Sequence, residues 1–247
     1  MQPSARGLPV ALSHETRKKE KHMGTPVLIL GTSGTGKSAS MRNLAPDRFN
    51  LINVAKKPLP FRSTKKPLNT DSYADITAAL GRAPSDIIVI DDVQYLLINE
   101  QLRRLSEKGY EKFTEIAFHF WSLFQQAIAL PPEKIVYFMG HTETDSMGNV
   151  KLKTVGKMLD EKINVEGMCT IVLRTHVQDG RFYFSTLNDG TDTVKTPIGM
   201  FAEPYIDNDL AFVDAAIRDY YGLVAAPIVP ASKPVEAKGA RRENSLV

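Results

Sequence analysis

Residues 31–38 read Gly31-Thr32-Ser33-Gly34-Thr35-Gly36-Lys37-Ser38, the G-x-x-x-x-G-K-S pattern of a phosphate-binding P-loop. Such a loop needs a strand running into it and a helix running out of it. The apolar run Pro26–Leu30 reads as the strand, and Ala39–Leu44 reads as the continuation of a helix that begins near Lys37. Gly31, Gly34 and Gly36 let the backbone bend so that successive N–H groups aim at phosphate oxygens. Lys37 brings a point charge to the β- and γ-phosphates, and the Ser38 hydroxyl is a ligand for Mg²⁺. Thr32, Ser33, Thr35 and Ala39 complete the expected nucleotide cradle. The helix start adds its positive dipole end.

With 247 residues, 43% of them hydrophobic, the chain can bury the core of one α/β domain of about 200 residues with flexible ends. No stretch approaches the ~20 apolar residues of a membrane span, and no signal-peptide pattern opens the chain. Cys169 is the only cysteine and sits in the apolar run Met168–Leu173. That pattern reads as a core thiol and excludes a disulfide framework or a cysteine zinc site, in keeping with a reducing, cytosolic setting. The net charge is +3, but residues 1–23 hold five cations against two acids and residues 224–247 four against two. The body is therefore slightly acidic, and any polyanion contact must come from local clusters or the tails.

Between the tails, apolar runs alternate with amphipathic ones. Strands are predicted over Asn50–Ala55, Asp86–Ile90 and Lys134–Met139. A helix capped by Thr70 or Asp71 is predicted to run to about Leu80, and a long one over Tyr110–Leu130, ended by Pro131-Pro132. A basic, proline-containing loop covers Lys56–Pro67. This order implies a mostly parallel sheet with right-handed crossovers. Asp179-Gly180 predicts a hairpin between Cys169–Val177 and Arg181–Leu187. A last helix, about Asp209–Tyr221, has Asn208 as its expected cap and stops at Gly222.

The strand Ile87–Ile90 ends in Asp91-Asp92, like a Walker B element. Asp91, at the C-terminal edge of the sheet, is placed to hold Mg²⁺ beside Ser38. Asp92 either polarises the attacking water or caps the next turn. The next strand ends Gly140-His141-Thr142-Glu143, where His141, or after it Glu143, would sense a γ-phosphate. The segment Thr144–Lys157 reads either as a mobile loop whose Lys151, Lys153 and Lys157 grip a nucleic-acid backbone, or as a solvated loop.

Together with Gly156–Lys162 and Lys195–Phe201, these motifs resemble bacteriophage P-loop ATPases with a minimal RecA-like core, from about Gly24 to Gly222. The resemblance implies a RecA-like P-loop NTPase domain over residues 24–223, between flexible tails at 1–23 and 224–247. The implied fold is α/β, with a mostly parallel central sheet flanked by helices and a β-hairpin extension near the C-terminal part. The resemblance implies ATP and Mg²⁺ as ligands and a recombination role, annealing or pairing strands of single-stranded DNA. It also implies self-association into an oligomer or filament, a single-strand-binding protein as a further partner, and the cytoplasm of a bacterial host. Lys195 falls where RecA-like cores carry a lysine that reaches the neighbouring subunit's γ-phosphate. The implied catalytic set is Lys37, Asp92, Glu143, His141 and Lys195. The chain departs from the family just after the second strand. RecA-like ATPases usually place a catalytic Glu there, and this chain has Asn53-Val54-Ala55-Lys56-Lys57, so Asp92 must act in its place or turnover is slow. An AAA+ helicase loader would need a helical lid for which the post-hairpin segment is too short. A small-molecule kinase would need an arginine-rich lid. A switch that binds ATP with little turnover stays open.

Overall fold

Strands whose residues are apolar on both faces must be covered on both faces, and that requirement shapes the molecule. A computed structural model of the chain describes residues 23–155, 159 and 163–223. The expected tails (Met23 apart), Lys157 and most of the Gly156–Lys162 motif lie outside the described residues. Among the described residues, nine strands form the sheet: β1 Thr25–Gly31, β2 Phe49–Asn53, β3 Leu68–Asn69, β4 Ile87–Asp91, β5 Ile135–Thr144, β6 Val150–Leu152, β7 Ile171–Gln178, β8 Arg181–Ser185 and β9 Tyr205–Asp207. Their order is β3-β2-β4-β5-β1-β7-β8-β9, with β6 paired to the end of β5. The run from β3 to β7 is parallel; β6, β8 and β9 pair antiparallel. The chain is thus α/β with a mostly parallel, mixed sheet flanked by helices.

Alternation along each strand divides the core in two. Leu28 and Leu30 of β1, Ile88 and Ile90 of β4, and Phe138 of β5 face a layer made by α1 (Tyr73–Arg82), α2 (Gln94–Arg103) and α3 (Glu111–Ile128). Val27, Ile29, Val89 and Tyr137 face α4 (Leu210–Tyr221) and a short 3₁₀ turn, Ser38–Asn43. Ile116, Phe120, Phe124 and Ala127 recur at helical spacing and form the buried stripe of α3, where Phe124 stacks on Phe138 at 4.1 Å between centroids. Trp121 is half-buried and stacks on Phe118. Cys169 is buried, as a core thiol should be, and burial pushes its thiol up to about 12. On α4, Arg218 is 1% exposed and its Nε donates to Asp214 Oδ2 at 2.7 Å, while Tyr137 Oη donates to Asp214 Oδ1 at 2.9 Å.

Several local expectations need correction. No α-helix follows Lys37. Six residues there form a 3₁₀ turn, and Ser40 Oγ donates to Lys37 O at 2.6 Å. Ser40 favours this local bond, while Ser38 and Asn43 are turned to Asp91 and Asp209, and a turn this short offers little dipole. Helix α1 is capped by Ser72, whose Oγ accepts from Asp75 N, and not by Thr70 or Asp71. Helix α4 is capped by Asp209 rather than Asn208, and it stops at Gly222 in the left-handed conformation, as expected. Strand β5 runs past Met139 to Thr144, and part of the expected mobile loop is β6, paired back onto it. Helix α2 has no counterpart among the predicted elements. No helix among the described residues is long and apolar enough to cross a membrane.

Candidate functional site

The C-terminal ends of β1, β5 and β4 lie side by side, and each delivers polar residues to one crevice. The connection leaving β1 crosses the face covered by α4, whereas those leaving β4 and β5 cross the opposite face. A crevice opens where connections diverge in this way. Gly31 is in register with His141, so the glycine-rich loop starts beside the end of β5.

The loop's backbone depends on its glycines. Gly34 and Gly36 have φ of 80° and 102°, which L side chains rarely adopt. At Gly31 the limit is space: a Cβ would lie 1.8 Å from Thr175 Oγ1. That hydroxyl contacts Thr35 Oγ1 at 2.6 Å and donates to Leu30 O, tying the loop to β7. Lys37 is buried, and its Nζ donates to the carbonyls of Gly31 (2.8 Å) and Thr32 (2.9 Å). Burial pushes its ammonium down to about 8, against the pull of Asp92 and Asp91. Asn208, also buried, lies against Gly36, and both its side-chain polar atoms lack a partner.

Ser38 Oγ donates to Asp91 Oδ2 at 2.7 Å, joining the loop to the end of β4. Burial, and then the neighbouring Asp92, push the Asp91 carboxyl above its ordinary range. Its Oδ1 is buried without a partner. Two anions packed together and one orphaned oxygen are what a divalent cation would relieve. Among the described residues no three His, Cys, Asp or Glu side chains converge as a metal cage. Mg²⁺ does not need one, because it keeps waters and takes phosphate oxygens besides one or two protein ligands. Ser38 and Asp91 fit that pattern.

Asp92 is 1% exposed and has φ of 61°, uncommon for a non-glycine residue. Its Oδ1 meets His141 Nε2 at 3.2 Å, and its Oδ2 is ion-paired with Lys57 Nζ. Burial raises the carboxyl's pKa, but the bonds from His141 and Lys57 outweigh it and hold the group below the usual range. The Lys57 ammonium is raised in turn, the pull of Asp92 exceeding the cost of burial. Both the acid and its partner are therefore charged at neutral pH.

No protein-family model matches the chain, and no curated protein matches it. The geometry alone therefore sorts the residues expected to act here. Lys37, Ser38, Asp91, Asp92 and His141 come together in one crevice. Thr32, Ser33, Tyr95, His141, Thr142 and Lys153 line a cleft of about 200 Å³. Ala39 lies in the 3₁₀ turn just beyond Ser38. Glu143 does not join the group: it sits on the β5–β6 ladder and pairs with Lys151 at 3.4 Å. Lys151 is thus occupied, and Lys153 lines the cleft instead of a free loop. Lys195 is also elsewhere. Its backbone pairs with Val172 of β7, and its charge acts on Cys169.

Sequence reasoning missed Lys57, Asn53 and Thr175. Lys57 and Asn53 follow or end β2, and β2 pairs with β4 so that Asn53 is in register with Asp91. A lysine close behind a strand end was the available signal. Its pairing with Asp92, 35 residues later, is tertiary and left no trace in spacing.

Proposed function

We propose that this chain binds ATP with Mg²⁺ on the Gly31–Ser38 loop and hydrolyses it. We further propose that it is a RecA-like phage recombination ATPase that binds single-stranded DNA and self-associates. The observation that carries the nucleotide reading is the 2.7 Å bond from Ser38 to Asp91, which joins the glycine-rich loop to the acid-ended strand. Lys37 exchanges the carbonyls of Gly31 and Thr32 for the β- and γ-phosphates, a charge-assisted contact in place of neutral ones. Ser38 and Asp91 hold the Mg²⁺, which supplies Lewis-acid charge neutralisation when bound. Asp92 takes a proton from the attacking water as the water oxygen bonds to the γ-phosphorus and the bond to the ADP oxygen breaks. His141 orients Asp92 and reports on the γ-phosphate from the end of β5. The DNA and assembly parts rest on the resemblance of the sequence motifs to phage ATPases.

Calorimetry with ATP and Mg²⁺ tests the first part: the parent should bind and Lys37→Ala should not bind tightly. ATPase rate with and without single-stranded DNA, alongside light scattering, tests the rest. Unchanged affinity in Lys37→Ala removes the foundation of the reading. A second reading, an ATP-binding switch with little turnover, is favoured by one observation. Lys57 occupies the carboxylate that would serve as base. A rate that stays near zero with and without DNA would select it.

A further inference from the structure

The basic loop that follows β2 is built as a fixed cleft, and apart from the pairing of Lys57 with Asp92 nothing in the nucleotide chemistry uses it. Lys56–Pro67 holds Lys56, Lys57, Arg62, Lys65 and Lys66 and no acid. Leu59 and Phe61 pack on the core beneath it. Lys65 Nζ donates to the carbonyls of Pro46 and Phe49 and lies 4.9 Å from the Phe49 ring centroid. Lys56 is anchored to Asp71 at 3.1 Å. These ties give the loop a defined shape around a cleft of about 440 Å³ lined by Lys56, Lys57, Arg62, Lys65 and Asn53. Arg62 and Lys66 are exposed and have no carboxylate partner among the described residues. Asn53 is 4% exposed, spends its Nδ2 on Lys57 O, and keeps a buried Oδ1 without a donor. Arg62 without an anion, beside an acceptor without a donor, marks a place in the cleft for a ligand that brings negative charge and hydrogen-bond donors.

We propose that this cleft takes the phosphate backbone of a single-stranded nucleic acid, and that Lys57 transmits its occupancy to Asp92. The inference rests on the ATPase reading above and names the partner surface and its coupling. A cleft of drug-molecule size admits roughly one or two nucleotides and excludes the body of a duplex. Sugar hydroxyls or base N–H groups satisfy Asn53, and phosphates face Arg62 and Lys57. Lys57 links the two sites: it lines the cleft and its ammonium is paired with Asp92. A phosphate in the cleft draws that ammonium away. Asp92 is then an unpaired carboxylate, held by His141 and free to accept a proton. This arrangement makes hydrolysis dependent on nucleic acid without a second conformation of the sheet. It also replaces Lys151 and Lys153 as the contact, since the former is paired with Glu143 and the latter borders the nucleotide cleft.

The test uses the full chain and a fluorescent oligothymidylate. Arg62→Gln should weaken its binding severalfold in low salt. The slope of log affinity against log salt should fall by ~0.7, for the one phosphate that no longer meets a cation. Unchanged affinity and slope would overturn the cleft assignment, and so would duplex binding as tight as single-strand binding. Lys57→Met should raise the ATPase rate without oligonucleotide to near the parent's oligonucleotide-saturated rate, with little further stimulation. A parent-like low rate that still responds to the oligonucleotide would overturn the coupling. Calorimetry keeps the two readings apart. If the parent binds no ATP, the ATPase reading fails, whereas oligonucleotide binding by the Arg62→Gln variant judges the cleft by itself.

Discussion

Lys37 and the two aspartates show how single residues set the chemistry here. Because Lys37 is pushed down to about 8 from 10.5, the unfolded chain binds more protons than the folded one between those values, so this group adds stability as pH rises through that window. A bound triphosphate would favour the ammonium and raise the value again. Titrations of ATP in buffers of different ionisation enthalpy should therefore show proton uptake near and above pH 8 and none well below it. Absence of uptake would mean that Lys37 does not meet the phosphates. The aspartates should separate in their effects. Asp91→Asn should weaken Mg²⁺-dependent binding and hydrolysis together. Asp92→Asn should preserve binding and slow turnover by ~10²–10⁴-fold. Turnover at the parent rate in Asp92→Asn would move the base elsewhere, and Glu143, tied to Lys151, is poorly placed to replace it. The residues of this centre were legible to different degrees. The loop and Asp91 carry their chemistry in fixed spacing. Lys57 does not, because its partner is brought to it by the pairing of β2 with β4.

Whole elements were legible where burial on both faces left continuous apolar runs, as in β1 and β4, or where one face repeats over five turns, as in α3. Helix α2 escaped because β4 runs almost directly into it. Its N-terminal flank, Val93, offers no side-chain cap, so no start signal separates strand from helix. The continuation of β5 escaped because the apolar run ends at Met139 and polar residues follow. Gly140 is a close approach, since a Cβ there would lie 2.3 Å from Leu152 Cδ1 of β6. The 3₁₀ turn after Lys37 escaped because the P-loop pattern itself argues for a helix. Element docking also rests on one buried charge pair, Asp214–Arg218, with Arg218 also donating to Glu133 O at 3.1 Å. Arg218→Met should strand Asp214 beside Tyr137 and cost ~3–5 kcal/mol in urea unfolding. Asp214→Leu combined with Arg218→Met should recover much of that deficit, because no unpaired charge remains. A double variant as unstable as the single one would show that packing of α4, and not charge isolation, carries the cost.

On the scale of the molecule, the cations around the site are few. Lys37 and the paired Lys57 act on Asp91 and Asp92, and Lys153 borders the cleft beside His141. Charge developing on a γ-phosphate in the transition state is commonly met by an additional cation, and a partner subunit can supply it. Lys195 is the candidate. It is exposed, it lies beside the N-terminal half of β7 away from its own glycine-rich loop, and it follows the β7–β8 hairpin. Leu187 and Ile198, near Lys195 in sequence, are exposed apolar side chains. If Lys195 acts across a subunit boundary, Lys195→Ala should bind ATP with parent affinity but lose the concentration-dependent rise in ATPase rate. Lys37→Ala protein should be inactive by itself. Mixing the two should restore part of the rate, because an intact loop from one subunit meets an intact lysine from the other. Light scattering must show that mixed assemblies form under the same conditions. Assemblies that form and stay inactive would assign Lys195 to the surface.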